Sequence, residues 1–156
     1  MIPQKLTDFV HGSVVSWVGS RDDRLRPSVS WAFGARVDAA NDLITAFVPD
    51  IEAEQVKSNL AHNGLVAFTV AEAISHEAYQ FKGRLVDLRP STEEERAVQD
   101  IHRSKLVAHY TVFPQALFNG FVLYPSTAIT FRVEEVFVQT PGPGAGEKLD
   151  IGAAAT

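Results

Sequence analysis

Alternation of apolar and polar residues is clearest from Val29 to Val37, where Trp31, Phe33 and Ala35 also occupy every second position. Successive side chains of a β-strand point to opposite faces of a sheet, so this period of two predicts a strand with one set inward and the other outward. Shorter runs rich in β-branched and aromatic residues predict five further strands. These runs cover residues 14–18, 43–48, 65–70, 79–88 and 128–138.

Two helices are predicted among these strands from their end signals. Residues 3–10 begin with a proline, which a first helical turn tolerates, and their apolar residues are spaced for one face. Asp50 is placed to cap a second helix, which Gly64 ends because glycine readily adopts the left-handed conformation at a helix C-terminus. Glu52 and Glu54 fall in its first turn, where the helix dipole favours negative charge.

A third helix is marked by a capping-box pattern and is predicted to extend to about His109. Ser91 or Thr92 is followed three residues later by Glu94 or Glu95, the spacing that satisfies two backbone amides reciprocally. The six strands are joined mostly by short turns, which predicts antiparallel pairing. A sheet of that size must protect its edges, so the pattern predicts a mainly β fold with inserted helices, a six-stranded antiparallel barrel.

Gly83 lies inside the strand predicted at 79–88. A glycine in a strand interior weakens the strand unless another chain segment needs the space that a side chain would fill. We therefore expect a bulge or a close backbone approach at this position.

One domain is expected from a chain of 156 residues. Residues 1–140 contain all the predicted elements. Residues 141–156 are rich in glycine, proline and alanine, which predicts a C-terminal tail with little capacity to bury surface.

Composition narrows the classes of function. The content of hydrophobic residues, 46%, is that of a globular protein, and there is no apolar run of the ~18 residues that a membrane helix requires. The net charge is −5 and the basic residues are scattered, which argues against nucleic acid as a partner. The absence of cysteine excludes disulfides and thiolate chemistry. The N-terminus has no export-signal pattern, so a cytoplasmic location is expected.

Five histidines suggest metal or haem ligation, but their spacing does not support a metal site. His102 and His109 lie two helical turns apart, about 10 Å, which is too far for both to bind one ion. Both are expected on the solvated surface of the third helix, and no metal is predicted. A single histidine binding haem iron stays open.

The order and spacing of these elements through residue 146 resemble the FMN-binding split-barrel family related to pyridoxamine 5'-phosphate oxidase. The stretches that carry the resemblance are residues 14–18, 26–29, 43–48, 59–63, 79–85 and 133–137. The resemblance implies a homodimer with one FMN at each of two sites in the subunit interface. It places the flavin ring against Ser30, Trp31 and Ala32 of the second strand and near Phe47 and Val48 at the end of the third.

The phosphate end departs from the family pattern. In the family a Ser-Arg-Lys run at the start of the following helix usually holds the phosphate, and the matching positions here are Glu54, Gln55 and Val56. Carboxylates at a helix start repel an incoming phosphate, which carries nearly two negative charges. Gln55 and Lys57 are the best remaining polar contacts for the phosphate or the ribityl chain.

The sequence therefore predicts a flavoprotein, an FMN-dependent oxidoreductase of unknown substrate, with no side chain nominated as acid or base. The alternatives are a non-catalytic dimeric binding protein for another planar cofactor, haem or a deazaflavin, and a cofactor-free structural barrel. Both binding hypotheses require an open cleft beside the second and third strands, whereas the structural hypothesis predicts a filled one. Trp31 is expected to fill the core or to form a ring wall, and the aromatic loop at residues 113–121 to pack on its own barrel or to lie in an interface.

Overall fold

A single antiparallel sheet of eight strands organises the protein, in a computed structural model that describes residues 1–151. The mainly β class with inserted helices is confirmed, but the predicted number of six strands is wrong. The strands are β1 Val15–Arg21, β2 Pro27–Ala32, β3 Ala35–Asp38, β4 Leu43–Pro49, β5 Leu65–Ala71, β6 Ala78–Pro90, β7 Ser126–Val138 and β8 Lys148–Leu149.

The strand predicted from Val29 to Val37 is divided into β2 and β3, and this accounts for one of the two additional strands. Gly34 has a φ of +81°, which interrupts the extended conformation on which the period of two depends. The Phe33 amide donates to the Phe47 carbonyl at 2.8 Å, and the Phe47 amide donates to the Gly34 carbonyl at 3.2 Å. The chain thus turns a corner at Gly34. The alternation of side chains continues through this position, so the sequence pattern does not indicate the bend.

This corner closes the sheet. The order of paired strands is β2-β1-β5-β6-β7-β4-β3, and the bonds between β4 and the corner join the last strands to the first. The enclosed core is apolar and contains fully buried rings of three phenylalanines, Phe68, Phe81 and Phe131. Burial of these rings supplies much of the hydrophobic stabilisation of the barrel.

Four α-helices are inserted among the strands. The capping box is confirmed: the Thr92 hydroxyl accepts from the Glu95 amide, and the Glu95 carboxylate accepts from the Thr92 amide. Gly64 ends the second helix with a φ of +69°, as predicted. The helices are α1 Gln4–Val10, α2 Glu54–Asn63, α3 Glu93–His109 and α4 Gln115–Asn119.

The close approach expected at Gly83 is also confirmed. The register of β6 against β7 shifts between Lys82 and Gly83, and a β-carbon on Gly83 would overlap the carbonyl oxygen of Arg132. Only a residue without a side chain fits this irregularity in the sheet.

Helix α3 lies outside the barrel and is anchored by its polar residues. The Arg89 guanidinium donates two hydrogen bonds to the buried Glu95 carboxylate, at 2.8 and 2.7 Å, and the Gln99 side chain donates to Ser126 Oγ at 3.0 Å. These contacts hold α3 across the end of the sheet.

A second apolar cluster forms between α3, α4 and the outer face of β1 and β2. We call it the outer aromatic cluster; it consists of Phe33, Leu106, Tyr110, Phe118 and Leu123, with Val15, Trp31, Val107, Phe121 and Tyr124 packed against them. It is separate from the core inside the barrel.

The segment after residue 140 adds the second additional strand. β8 pairs with β7, and Leu149 and Ile151 pack against the core. Residues 152–156 of the predicted tail lie outside the described residues. Among the helices of residues 1–151, none has the length and hydrophobicity needed to cross a bilayer.

Candidate functional site

A cleft opens beside β2, where the end of β4, the turn after it and the loop after α4 come together. We call it the ring cleft; its volume is about 230 Å³. It lies next to the second strand and the end of the strand that follows the corner. Its lining residues are Ser30, Trp31, Phe33, Pro49, Ile51, Glu52, Gly120, Phe121 and Val122.

Three aromatic side chains form one wall of the ring cleft. The ring centroids of Phe33 and Phe121 are 4.9 Å apart, those of Trp31 and Phe121 are 5.7 Å apart, and Trp31 stacks on Phe33 at 6.5 Å. These distances are typical of stabilising aromatic pairs. Trp31 therefore lies outside the barrel core and borders the cleft, so of its two expected roles the filling of the core is wrong.

Ser30 borders the same cleft and is a buried polar residue. Its side chain is buried, and its Oγ has no hydrogen-bond partner among the described residues. A buried hydroxyl without a partner costs about 1–3 kcal/mol relative to a satisfied one.

Asp50 lies between Pro49 and Ile51, two of the residues that line the cleft. Its carboxylate accepts a hydrogen bond from Thr127 at 2.6 Å and one from the Lys57 ammonium at 3.0 Å. Partial burial opposes ionisation of Asp50, but these two donors outweigh it and lower the pKa of the carboxyl group. Asp50 and Lys57 therefore form a neutral pair beside the cleft.

The role predicted for Asp50 as a helix cap is wrong. Residues Asp50–Glu52 form a short 3₁₀ turn, and α2 begins only at Glu54, with Ala53 at the N-cap and no capping side chain. The carboxylate turns instead to Thr127 on β7, because the extra turn moves Asp50 away from the amides of the helix. Local sequence does not show that a second strand offers this hydroxyl.

The predicted site residues divide into three groups. Ser30 and Trp31 line the ring cleft, whereas Phe47 and Val48 are fully buried and only their neighbour Pro49 reaches it. Ala32 is buried and lines a different cavity on the outer side of the barrel.

The polar contacts predicted at α2 are engaged within the chain. The Gln55 amide donates to the Asn59 side chain at 2.9 Å, and Lys57 is held by Asp50. Glu52 is exposed and lines the cleft. The end of the cleft near α2 is therefore acidic.

The sequence analysis missed the contribution of the loop after α4. Gly120, Phe121 and Val122 close one side of the ring cleft although they lie about ninety residues after Trp31 in the chain. The density of aromatic residues at 113–121 was the available signal, and it indicated packing or an interface without identifying the surface.

The histidines do not converge on a metal. Across residues 1–151, no group of three His, Cys, Asp or Glu side chains has the geometry of a metal site. His109 pairs with Glu72 at 3.0 Å. The surface position predicted for His102 is wrong: it is buried beside Gly34, and burial lowers its pKa to about 4.

Comparison with known proteins identifies the fold. No protein-family model matches the sequence, and no curated protein matches it. Solved structures do match: HupZ of Group A Streptococcus has a TM-score of 0.57 at 16% identity, covering 94% of this chain and 100% of that one.

Two further solved structures share the fold. One named F420 reductase has a TM-score of 0.56 at 12% identity, covering 86% of this chain and 98% of that one. A putative pyridoxamine 5'-phosphate oxidase from Lactobacillus delbrueckii also has 0.56 at 12% identity, covering 87% and 93%. The chain has the split-barrel fold of the pyridoxamine 5'-phosphate oxidase-like proteins.

Proposed function

We propose that this chain binds a flavin in the ring cleft and acts as a flavin-dependent oxidoreductase. The observation that carries the proposal is the open cleft beside β2, one wall of which consists of three aromatic side chains. A cofactor-free structural barrel would be expected to fill this space. The fold shared with a putative pyridoxamine 5'-phosphate oxidase supports the choice of a flavin.

The residues of the cleft fit the ring of a flavin. Trp31, Phe33 and Phe121 offer an apolar surface to a planar aromatic molecule. A bound flavin supplies the electron transfer, and the protein orients it and limits the access of water.

The phosphate of FMN fits less well than the ring. Lys57 already pairs with Asp50, so a phosphate must share this ammonium with a carboxylate. Glu52 lines the cleft, and Glu54 lies in the first turn of α2. We propose that Lys57 and Gln55 contact the ribityl chain or the phosphate, and that the ring contributes most of the binding free energy.

We also propose that a second copy of the chain completes the cleft. Ile51 and Val122 lie on its rim with 73% and 55% of their surfaces exposed. Exposed apolar side chains around a cleft are typical of interaction sites. A homodimer would cover them and shield the bound ring from water.

The proposal is tested by titrating the purified protein with FMN, riboflavin, a deazaflavin and haem while recording absorption and flavin fluorescence. We expect saturable quenching at one flavin per chain. Trp31→Ala should weaken binding by about two- to tenfold, the equivalent of one aromatic pair. The matched control is Phe137→Ala, a half-buried aromatic residue on β7 that does not line the cleft and should leave the affinity unchanged.

The outcomes separate the hypotheses. A Soret band with haem and no response to flavin would favour the tetrapyrrole alternative, and binding of a deazaflavin in place of FMN would keep the site but change the cofactor. A protein that binds none of these ligands would contradict the proposed function. Light scattering on the same samples tests the dimer.

A further inference from the structure

A second cavity adjoins the ring cleft on the outer side of the barrel. We call it the apolar chamber; it has a volume of about 350 Å³ and lies between the outer face of β1 and β2 and the helices α3 and α4. Its lining residues are Val15, Ser16, Trp17, Trp31, Ala32, Phe33, Ala73, Leu106, Tyr110, Phe113, Leu117, Phe118 and Phe121.

None of these lining residues carries a charge, and both hydroxyl groups among them are engaged elsewhere. Ser16 Oγ donates to the Ala32 carbonyl at 3.0 Å. Tyr110 Oη donates to the Ser13 carbonyl at 2.7 Å and accepts from the Ala73 amide at 2.9 Å. A polar ligand would lose its hydration here and gain no hydrogen bond in return, so the chamber selects against polar molecules.

The chamber has the size and shape of a small-molecule site rather than those of a packing defect. Protein interiors contain few voids larger than a water molecule, and a cavity of about 350 Å³ lies far above that size. Phe113 and Leu117 stand at its mouth with 44% and 52% of their surfaces exposed. An apolar ligand in the chamber would bury these side chains as well as its own surface.

The chamber and the ring cleft share three lining residues, Trp31, Phe33 and Phe121. A molecule in the chamber therefore contacts the same aromatic side chains that border the cleft. A ligand in one cavity is therefore expected to affect a ligand in the other through these three side chains.

We propose that the apolar chamber binds a small, uncharged, apolar molecule. The proposal also makes that molecule the apolar part of the substrate, a role that rests on the flavin function proposed above. The binding itself depends only on the chamber, so the two ideas are tested separately.

The test titrates flavin-free protein with N-phenyl-1-naphthylamine, an uncharged fluorescent probe whose emission rises in apolar surroundings. We expect saturable binding at one probe per chain. Leu117→Glu places a charge at the mouth and should reduce the affinity at least about tenfold, because the carboxylate must stay hydrated where the probe enters. Val112→Glu is the matched control. Val112 is 77% exposed, lies five residues before Leu117 and does not line the chamber, so this variant should bind the probe with unchanged affinity.

Equal binding by both variants, or no binding by the unmodified protein, would overturn the proposal. Light scattering in the same experiment tests whether a second copy of the chain, rather than a small molecule, occupies the chamber. If the unmodified protein is a dimer that excludes the probe, and Leu117→Glu is a monomer that binds it, then a second copy of the chain covers the chamber and the proposal is wrong.

The substrate role has its own readout. In flavin-loaded protein, the probe should change the emission of the bound flavin, because both ligands contact Trp31 and Phe121. If the probe binds and no flavin does, the chamber remains a binding site for apolar molecules and the proposed flavin function is refuted. Binding of both ligands without mutual effect would remove the substrate role.

Discussion

Two groups of aromatic residues in this protein differ in what surrounds them. Inside the barrel, the ring centroid of Phe68 lies 6.3 Å from that of Phe81 and 6.1 Å from that of Phe131, and all three side chains are fully buried. Outside the barrel, Trp31 and Phe121 pack at a similar distance, 5.7 Å, yet they border two cavities.

The difference lies in closure rather than in the type of residue. The sheet surrounds the inner rings on every side, so they pack without space for a ligand. The outer rings are covered by α3, the five-residue helix α4 and a loop, which leave room beside them. Aromatic residues under a closed sheet therefore contribute mainly to stability, and those under a partial cover are available for binding.

The largest expected effect contrasts the two groups directly. Phe131→Ala should lower the free energy of unfolding by about 3–5 kcal/mol, because it leaves a cavity in a closed core. Trp31→Ala should cost about 1–2 kcal/mol, since Trp31 is only half buried. Urea unfolding measures both values, and equal losses would show that the outer cluster is as well packed as the core.

The second prediction concerns the backbone that closes the barrel. Gly83→Ala should destabilise the protein by about 3 kcal/mol, because the new β-carbon meets the Arg132 carbonyl and the strands must separate. Gly19→Ala is the control within the same sheet: its nearest neighbours are Ala67 atoms at 3.5 and 3.7 Å, so a change within about 1 kcal/mol is expected. Similar losses at both glycines would argue against a special approach at Gly83.

The third prediction concerns the contacts of Glu95 that hold helix α3, which covers the outer aromatic cluster. Two hydrogen bonds from Arg89 and the capping of Thr92 lower the pKa of Glu95 to about 2, against the opposing effect of burial. Glu95→Gln should therefore cost about 1–3 kcal/mol at neutral pH.

The pH dependence of that loss follows from the sign of the shift. The pKa of Glu95 is lower in the folded protein than the ordinary value of 4.5, so the stabilisation is complete above pH 4.5 and disappears as the pH falls towards 2. The difference in unfolding free energy between Glu95→Gln and the unmodified protein should shrink over this range. Glu93→Gln, an exposed change in the same helical turn, should show no such dependence; a constant difference for Glu95→Gln would contradict the prediction.

The smallest expected effect distinguishes the two ends of the ring cleft. Glu52→Gln should strengthen FMN binding by about two- to fivefold. The change removes a carboxylate that repels the phosphate near a helix start, and such a charge changes the binding free energy by about 0.3–1 kcal/mol. Riboflavin has no phosphate, so its affinity should stay the same. Fluorescence titration of both ligands checks this prediction, with Glu93→Gln as the control variant. An equal gain in affinity for both flavins would show that Glu52 acts on the ring.

Much of the fold was predictable because its signals are local. The capping box at Thr92 and Glu95, the helix end at Gly64 and the close approach at Gly83 each depend on a few neighbouring residues. The predictions that failed depend on distant partners. Gly34 bends a strand where β4 bonds to it, and Asp50 turns to Thr127, which lies 77 positions away in the sequence.

The sequence by itself located six strand regions, the start of α3 at Thr92 and the end of α2 at Gly64, because hydrophobic period, capping residues and glycines act within one or two turns of chain. Through the resemblance of element order it also indicated the split barrel. It also located Ser30 and Trp31 beside the cleft through the resemblance of element order. Only the tertiary structure decided that Phe121 completes their wall, that Lys57 neutralises Asp50 and that an apolar chamber adjoins the cleft. Cavities and ion pairs of this kind arise where segments far apart in the chain meet, and their size depends on how completely one segment covers another.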